Sequence, residues 1–325
     1  MGYIDILVAP FYFLITFLIA YLYKTKNKRN EIITRFFLSA YVLRVFGGLA
    51  FGSIYFFYYG GGDTFNYFTD SVVISEAIRT DLASGFKLLF DLNITDGDLY
   101  NYLKRMNFIT DTGSLSVSRS AGIINIFTFD SYVSTTIVFS LLSFWGSWRL
   151  FLTLGRMFPN LYKELSIGCL YLPSIVFWTS GIMKDTICST ALYILFCAII
   201  NIAYFKKYTI GNVLISLFCI YIISAVKIYI IMCFSSTISI YVLSLYNDKI
   251  KSQAFRSFLR PVFLSLALLL GYFATKLIAA EDNKYSLENI SDTAISTANY
   301  IGQVSLEVGG SYYSLGNMDL TPSNI

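Results

Sequence analysis

The sequence predicts an all-α fold: a polytopic transmembrane helical bundle of about eight spans, with interfacial helices in one large outer loop. Three observations predict it. Of the 325 residues, 56% are hydrophobic and only 14% are charged, whereas a soluble domain has roughly a quarter charged and just under half apolar residues. Eight stretches reach the roughly 20 mostly apolar residues that a helix needs to cross a bilayer. Lys and Arg gather in alternate connections between those stretches, as the positive-inside rule requires.

Taken in order, the first stretch covers about residues 3–23 and the second about 33–59, interrupted by Arg44. The third covers about 132–154, with Arg149 near one end, the fourth 165–183 and the fifth 186–204. The sixth and seventh, 210–226 and 228–245, are joined closely at Lys227, and the eighth covers 262–279. The aromatic fraction of 18% suits bilayer interfaces and helix contacts.

Orientation follows from the short connections. Lys24, Lys26, Lys28 and Arg29 follow the first stretch, Arg156 and Lys163 the third, and Lys206 and Lys207 the fifth. Lys249, Lys251, Arg256 and Arg260 follow the seventh. With eight spans all four connections share one side, which the rule makes cytoplasmic. Both termini then lie outside, as do residues 60–131 and 281–325. No basic region precedes the first stretch, so it reads as an anchor and not as a cleaved signal peptide.

Residues 1–280 thus form the transmembrane domain. Its outer loop, 60–131, is too long for a simple connection and is acidic, with Asp63, Asp70, Glu76, Asp81, Asp91, Asp96, Asp98, Asp111 and Asp130. Within 65–78, Phe65, Phe68, Val72, Ile74 and Ala77 fall on one broad helical stripe, and 86–92 and 100–108 are shorter amphipathic candidates. Such helices lie in the interface plane; a small folded cap is the alternative. Residues 281–325 are polar and rich in Ser, Thr and Asn, an outer segment that is either a natural terminus or a truncated piece.

The chain contains no histidine, which removes the commonest neutral-pH general base and metal ligand. Cys169, Cys188, Cys197, Cys219 and Cys233 lie in apolar stretches without a CxxC pair and read as small packing residues. Acid–base chemistry therefore falls to Asp, Glu, Lys or Tyr. Gly60-Gly61-Gly62-Asp63 stands where the second stretch leaves the membrane. Its glycines permit a sharp turn and close approach of a ligand. Tyr67 and Asp70 follow Asp63 at helical spacing. A helix-ending glycine run with Asp63 as N-cap is the plain alternative. On the same side, Trp178-Thr179-Ser180-Gly181-Ile182-Met183-Lys184-Asp185 closes the fourth stretch.

Cations near membrane depth are functional candidates because an unpaired charge there costs several kcal/mol. Arg44, Lys227 and Lys276 qualify, and Arg119 is a further outer cation. Snorkelling to the interface is the competing explanation for Lys227 and Lys276.

The order of these features resembles the GT-C glycosyltransferase superfamily over roughly residues 33–205. Members are polytopic enzymes that take sugars from polyprenyl-phosphate carriers at the outer face. A span leads into a large outer loop with an early acidic residue, often followed by tyrosine, and a later outer loop supplies a second acid. Here Asp63-Thr64-Phe65-Asn66-Tyr67 and Lys184-Asp185 stand at those places. The resemblance implies Asp63 and Asp185 as catalytic residues, with Asp63 as general base. It implies Tyr67, Asp70, Lys184, Arg119 and Lys227 as substrate-binding residues, and Asp185 as ligand to a divalent metal, Mg or Mn. It implies a lipid-linked sugar donor, a glycan or lipid acceptor and membrane lipids as partners, without nucleic acid. A bacterial inner membrane protein of surface polysaccharide assembly is the expected setting. The 173–185 stretch also resembles membrane proteins associated with that assembly.

Three other readings compete. A polymerase of lipid-linked oligosaccharide units would rely on arginines more than on one aspartate. A transporter or flippase of lipid-linked glycans would place substrate charges near the midplane and show an internal repeat. Arg44 fits that weakly, and the sequence contains no repeat. A non-catalytic scaffold with the outer segments as binding surfaces is the third.

Overall fold

A computed structural model of the chain describes residues 2–90 and 97–247, with Pro261, Ser265, 295–296 and 298–303. Every element among the described residues is a helix. The chain divides into two compact units, Met1–Ile231 and Met232–Ile325. In order come α1 (Tyr3–Lys26), α2 (Leu38–Phe57, entered through a π-helical turn at Ile33–Phe37), α3 (Asp63–Thr80) and α4 (Leu82–Phe90). Then follow α5 (Tyr100–Leu103), α6 (Thr112–Thr128), α7 (Tyr132–Met157), α8 (Tyr162–Ser166) and α9 (Pro173–Trp178). Last come α10 (Lys184–Ala203) and α11 (Ile210–Asn247).

Five of these are long and apolar enough to cross a membrane: Tyr3–Lys26, Ile33–Phe57, Tyr132–Met157, Lys184–Ala203 and Ile210–Val242. At 1.5 Å per residue, even 20 residues reach about 30 Å, the thickness of the hydrocarbon core. α1 leaves Leu7, Phe11, Leu14 and Leu18 exposed, roughly one per turn, and α11 leaves Ile210, Leu214, Leu217, Phe218 and Tyr221 exposed. Continuous apolar surface of that kind suits lipid and not water. The fold is all-α and fits an integral membrane protein.

Eight continuous spans do not appear among the described residues. The fourth expected stretch, 165–183, is broken into α8, a π-helical turn at Ile167–Tyr171, α9 and a non-helical run to Lys184. Pro173 opens α9, since its ring and missing N–H prevent the preceding turn from continuing. The sixth and seventh stretches form one element, broken by non-helical dihedrals at Lys227 (φ −148°, ψ 81°). The eighth stretch, Lys276 and the basic residues from Lys249 to Arg260 lie outside the described residues, as does most of 281–325.

The broken stretch runs along α2. Tyr171 meets Ser39 through a 2.7 Å hydroxyl contact, Val176 packs on Gly47 and the Ser180 carbonyl on Gly48. Buried non-helical backbone needs protein partners for its carbonyls, and those of Ser180 and Gly181 have them. Arg44 donates to the Ile175 carbonyl (3.3 Å) and to Thr179 Oγ1 (2.7 Å). Ser140 Oγ donates to the Ser180 carbonyl (2.8 Å) and Thr186 Oγ1 to that of Gly181 (2.6 Å). Arg44 also reaches Ser143 and Ser147 on α7. This buried cation, a functional candidate in the sequence, therefore caps an interrupted segment.

Around that arrangement Phe36, Phe37, Tyr41, Phe144, Trp148 and Phe151 build an aromatic core between α1, α2 and α7. Residues 63–128 have a second core of Val73, Ile74, Ala77, Leu88, Leu99, Leu103, Met106 and Leu115. The described residues of this part of the chain thus pack as helices around a core of their own. Its buried α3 face is centred on Thr64, Tyr67, Asp70, Ile74 and Ala77, turned from the expected stripe, so Phe65, Phe68 and Val72 are only half-buried. α4 still carries an exposed row of Leu82, Phe86 and Phe90, the one-sided pattern of an interfacial helix. Arg105 clamps Glu76 with two bonds (3.1 and 2.6 Å), and Arg79 pairs with Asp130 at 2.5 Å.

Candidate functional site

The site begins at the three glycines. Gly60, Gly61 and Gly62 have φ of 68°, 153° and 115°, a region that residues with a side chain rarely adopt. They turn the chain from α2 into α3, with Gly62 as N-cap and Asp63 as first helical residue. Asp63 is exposed. Tyr67, one turn on, is buried and places its hydroxyl 3.5 Å from Ser114 Oγ, the outer limit of a hydrogen bond.

Ser114 belongs to the start of α6. Asp111 is that helix's N-cap, accepting from Ser114 N (3.1 Å) and Ser114 Oγ (2.8 Å), the usual way an orphan N–H of a first turn is satisfied. Asp111 Oδ2 also accepts from Lys184 Nζ at 2.9 Å. Lys184 is the first residue of α10 and Asp185 the second. Asp185 Oδ1 accepts from Lys227 Nζ at 2.5 Å, and Lys227 stands at the break in α11. The break leaves carbonyls outside the helical ladder, and Ser116 Oγ donates to that of Ala225 at 3.4 Å. Gly113 makes this approach possible: a Cβ there would stand 2.6 Å from the Val226 carbonyl oxygen.

The starts of α3, α6 and α10 therefore meet around Tyr67, with two lysines among them. Burial pushes the Tyr67 phenol well above its ordinary value; the Ser114 contact works the other way, and the charges of Asp63, Asp111 and Asp185 add to the rise. Burial thus favours the neutral phenol, with the charges of Asp63, Asp111 and Asp185 close enough to act on it. Burial also opposes the charge on Asp111, but Lys184 and the two Ser114 bonds outweigh it and hold the carboxyl at about 2. Of the carboxylates expected here, Asp63 alone has no hydrogen-bond or ion-pair partner among the described residues.

The other expected residues fall elsewhere. Asp70 is fully buried and accepts from Asn107 N, Asn107 Nδ2 and Phe108 N, which ties α3 to the 104–111 turn. Burial raises its pKa against the pull of those three bonds. Arg119, two turns into α6, donates from Nε to the Leu88 carbonyl (2.8 Å) and holds α4. Among the described residues no three His, Cys, Asp or Glu side chains are grouped to hold a metal. At Asp185 the donor set does not fit a divalent cation, because one oxygen is taken by the Lys227 ammonium and Lys184 is adjacent.

Asp111 was not singled out by the sequence, where it is one of nine acids in the loop. Its signal is local: Asp111-Thr112-Gly113-Ser114 places an N-cap acid three residues before a hydroxyl donor.

No protein-family model, no curated protein and no solved structure matches the chain.

Proposed function

We propose that the chain is a membrane glycosyltransferase that moves a sugar from a polyprenyl-phosphate carrier to a glycan or lipid acceptor at the outer face. The observation that supports this best is the meeting of Asp63, Asp111, Asp185, Lys184 and Lys227 around Tyr67. Helix starts attract anions because their first N–H groups are unpaired and their dipoles point that way. Two lysines beside them suit a phosphate leaving group. When the carrier binds, Lys184 and Lys227 exchange their carboxylates for phosphate oxygens. Asp63, whose lone pairs are not engaged, takes the proton from the acceptor hydroxyl. Tyr67 donates a hydrogen bond to the sugar or to the phosphate bridge. No step is routed through a metal.

The placement of Lys and Arg supports putting this cluster outside a bacterial plasma membrane, with both termini on that side. In this reading the broken stretch beside α2 is the fourth crossing and the first part of α11 the sixth. A seventh follows Lys227, and the expected eighth falls outside the described residues. The exposed row on α4 rests in the headgroups beside the entrance for the lipid-linked donor. A polymerase reading draws less support, because the cluster's cations are lysines; Arg44, the charge that fitted a transporter, is engaged by the Ile175 carbonyl and the Thr179 hydroxyl.

The test is Asp63→Asn in the full chain. Sugar incorporation into surface glycan should fall by about 10²–10⁴-fold, the usual loss when a general base is removed, with expression and membrane insertion unchanged. Unaltered glycan in that variant would remove the catalytic assignment.

A further inference from the structure

Towards the opposite end of α10 from the carboxylate–lysine cluster lies a cavity. Lys184 begins α10, and Asn201 lies near its other end; seventeen residues at 1.5 Å each separate them by about 25 Å. The cavity has a volume of about 580 Å³ and is lined by Arg149, Arg156, Lys207, Asn30, Asn201 and Asn212, among others. None of these three cations has an acidic partner among the described residues. Arg149 stands 5.7 Å over the Trp145 ring and Arg156 5.0 Å over that of Phe205. Arg156 makes only long bonds of 3.3 Å, to the Leu152 carbonyl and to Thr153 Oγ1. Asn201 Oδ1 is buried and has no hydrogen-bond partner, which leaves an acceptor waiting for a donor.

A neighbouring cavity of about 480 Å³ between α7, α10 and α11 is almost wholly apolar, lined by residues such as Leu142, Trp145, Ile194 and Phe218. Arg149 lines both. A chamber lined by three cations and a largely apolar groove thus share one arginine in their walls.

We propose that the two cavities form one binding site for an anionic phospholipid with a hydroxyl-bearing headgroup. The phosphate binds Arg149, Arg156 and Lys207 by charge-assisted hydrogen bonds. A headgroup hydroxyl donates to Asn201 Oδ1. One acyl chain lies along the groove past Trp145 and Phe218. Charge complementarity selects the occupant: three cations without acidic partners around a chamber of about 580 Å³ favour an anionic headgroup over a zwitterionic one, and the adjoining groove favours a lipid over free phosphate. This site is separate from the proposed transferase site and does not depend on it.

The test uses purified full-length protein and native mass spectrometry with phosphatidylglycerol, phosphatidylcholine or inorganic phosphate added. Wild type should retain phosphatidylglycerol at least tenfold better than phosphatidylcholine, and inorganic phosphate at millimolar concentration should not displace it. Arg149→Gln with Arg156→Gln should lose that preference. Lys207→Gln, at an exposed position where folding is not at risk, should weaken it several-fold. Equal retention of the two lipids, unchanged binding in Lys207→Gln, or displacement by inorganic phosphate would each overturn the proposal.

Discussion

Lys227 Nζ lies 2.5 Å from Asp185 Oδ1 and does so from the residue at which α11 loses helical dihedrals. The broken backbone and the ion pair are one device. The pair adds to the bond that Ser116 Oγ makes with the Ala225 carbonyl beside the same break. The side chains are 22% and 42% exposed, so the pair itself contributes only about 1 kcal/mol. The greater effect of removing the lysine falls on the proposed phosphate contact. Lys227→Met should raise the apparent KM for a lipid-phosphate donor about tenfold, the scale of one charge-assisted hydrogen bond, with Lys227→Arg recovering part of it. A change in kcat alone, measured with donor in excess, would place Lys227 outside donor binding.

Asp111 supports a pH prediction. Its folded pKa lies below the ordinary carboxylate value, at about 2. A depressed acid adds stability that is full above its unfolded pKa, near 4, and disappears as pH falls through the folded value. Asp111→Asn should therefore lower the melting point of the purified protein by a constant amount from pH 5 to 8. The difference should close between pH 4 and 2. Because Asp111 is 51% exposed, the offset is small, and salt should shrink it further. An offset that grows on acidification would contradict the assignment.

Arg44 should matter for stability more than for chemistry. Its guanidinium satisfies the Ile175 carbonyl and the Thr179, Ser143 and Ser147 hydroxyls at once. Lysine has no planar fork to match that set. Arg44→Met removes these charge-assisted hydrogen bonds from the buried seam, at about 1.5–3 kcal/mol each. Thermal unfolding in detergent should show a drop of several degrees for Arg44→Met and a smaller one for Ser147→Ala. A methionine variant as stable as the wild type would mean that the broken stretch does not need its cap.

The sequence was legible where one property decides the outcome. α1, α2, α7 and α10 follow the apolar stretches within a few residues, because length and hydrophobicity alone make them candidates to span. The position of Lys227 as a junction was also legible, since a lone cation divides an apolar run. The 165–183 stretch was not, because hydropathy reports burial and is blind to hydrogen bonding. Its interruption depends on Arg44 from α2 and hydroxyls from α7 and α10. Thr136, Ser140, Ser143 and Ser147, at helical spacing along α7 and all buried, were the overlooked sign of a polar seam. The α3 face shifted for a similar reason: Thr64, Asp70 and Ser71 are buried through hydrogen bonds to Tyr132, Asn107 and Asn125, which an apolar stripe cannot foretell.

Gly113 joins the two halves of the cluster and offers the sharpest steric test. A Cβ there would meet the Val226 carbonyl oxygen at 2.6 Å, with Asp111 Oδ1 at 3.3 Å and Lys184 Nζ at 3.5 Å. The first contact is with backbone, which cannot rotate away. Gly113→Ala must therefore push α6 from the α11 break, and with it separate Lys227 from Asp185. Its helical dihedrals suit alanine, so the helix itself gains about 0.5–1 kcal/mol while the junction opens. The variant should insert normally and lose donor binding to about the same extent as Lys227→Met. In the double variant the losses should not add, because both act on one contact. Gly155→Ala, where a Cβ meets nothing within 4 Å, should leave donor binding unchanged. Additive losses in the double variant would show that Gly113 acts somewhere other than through the Lys227 junction.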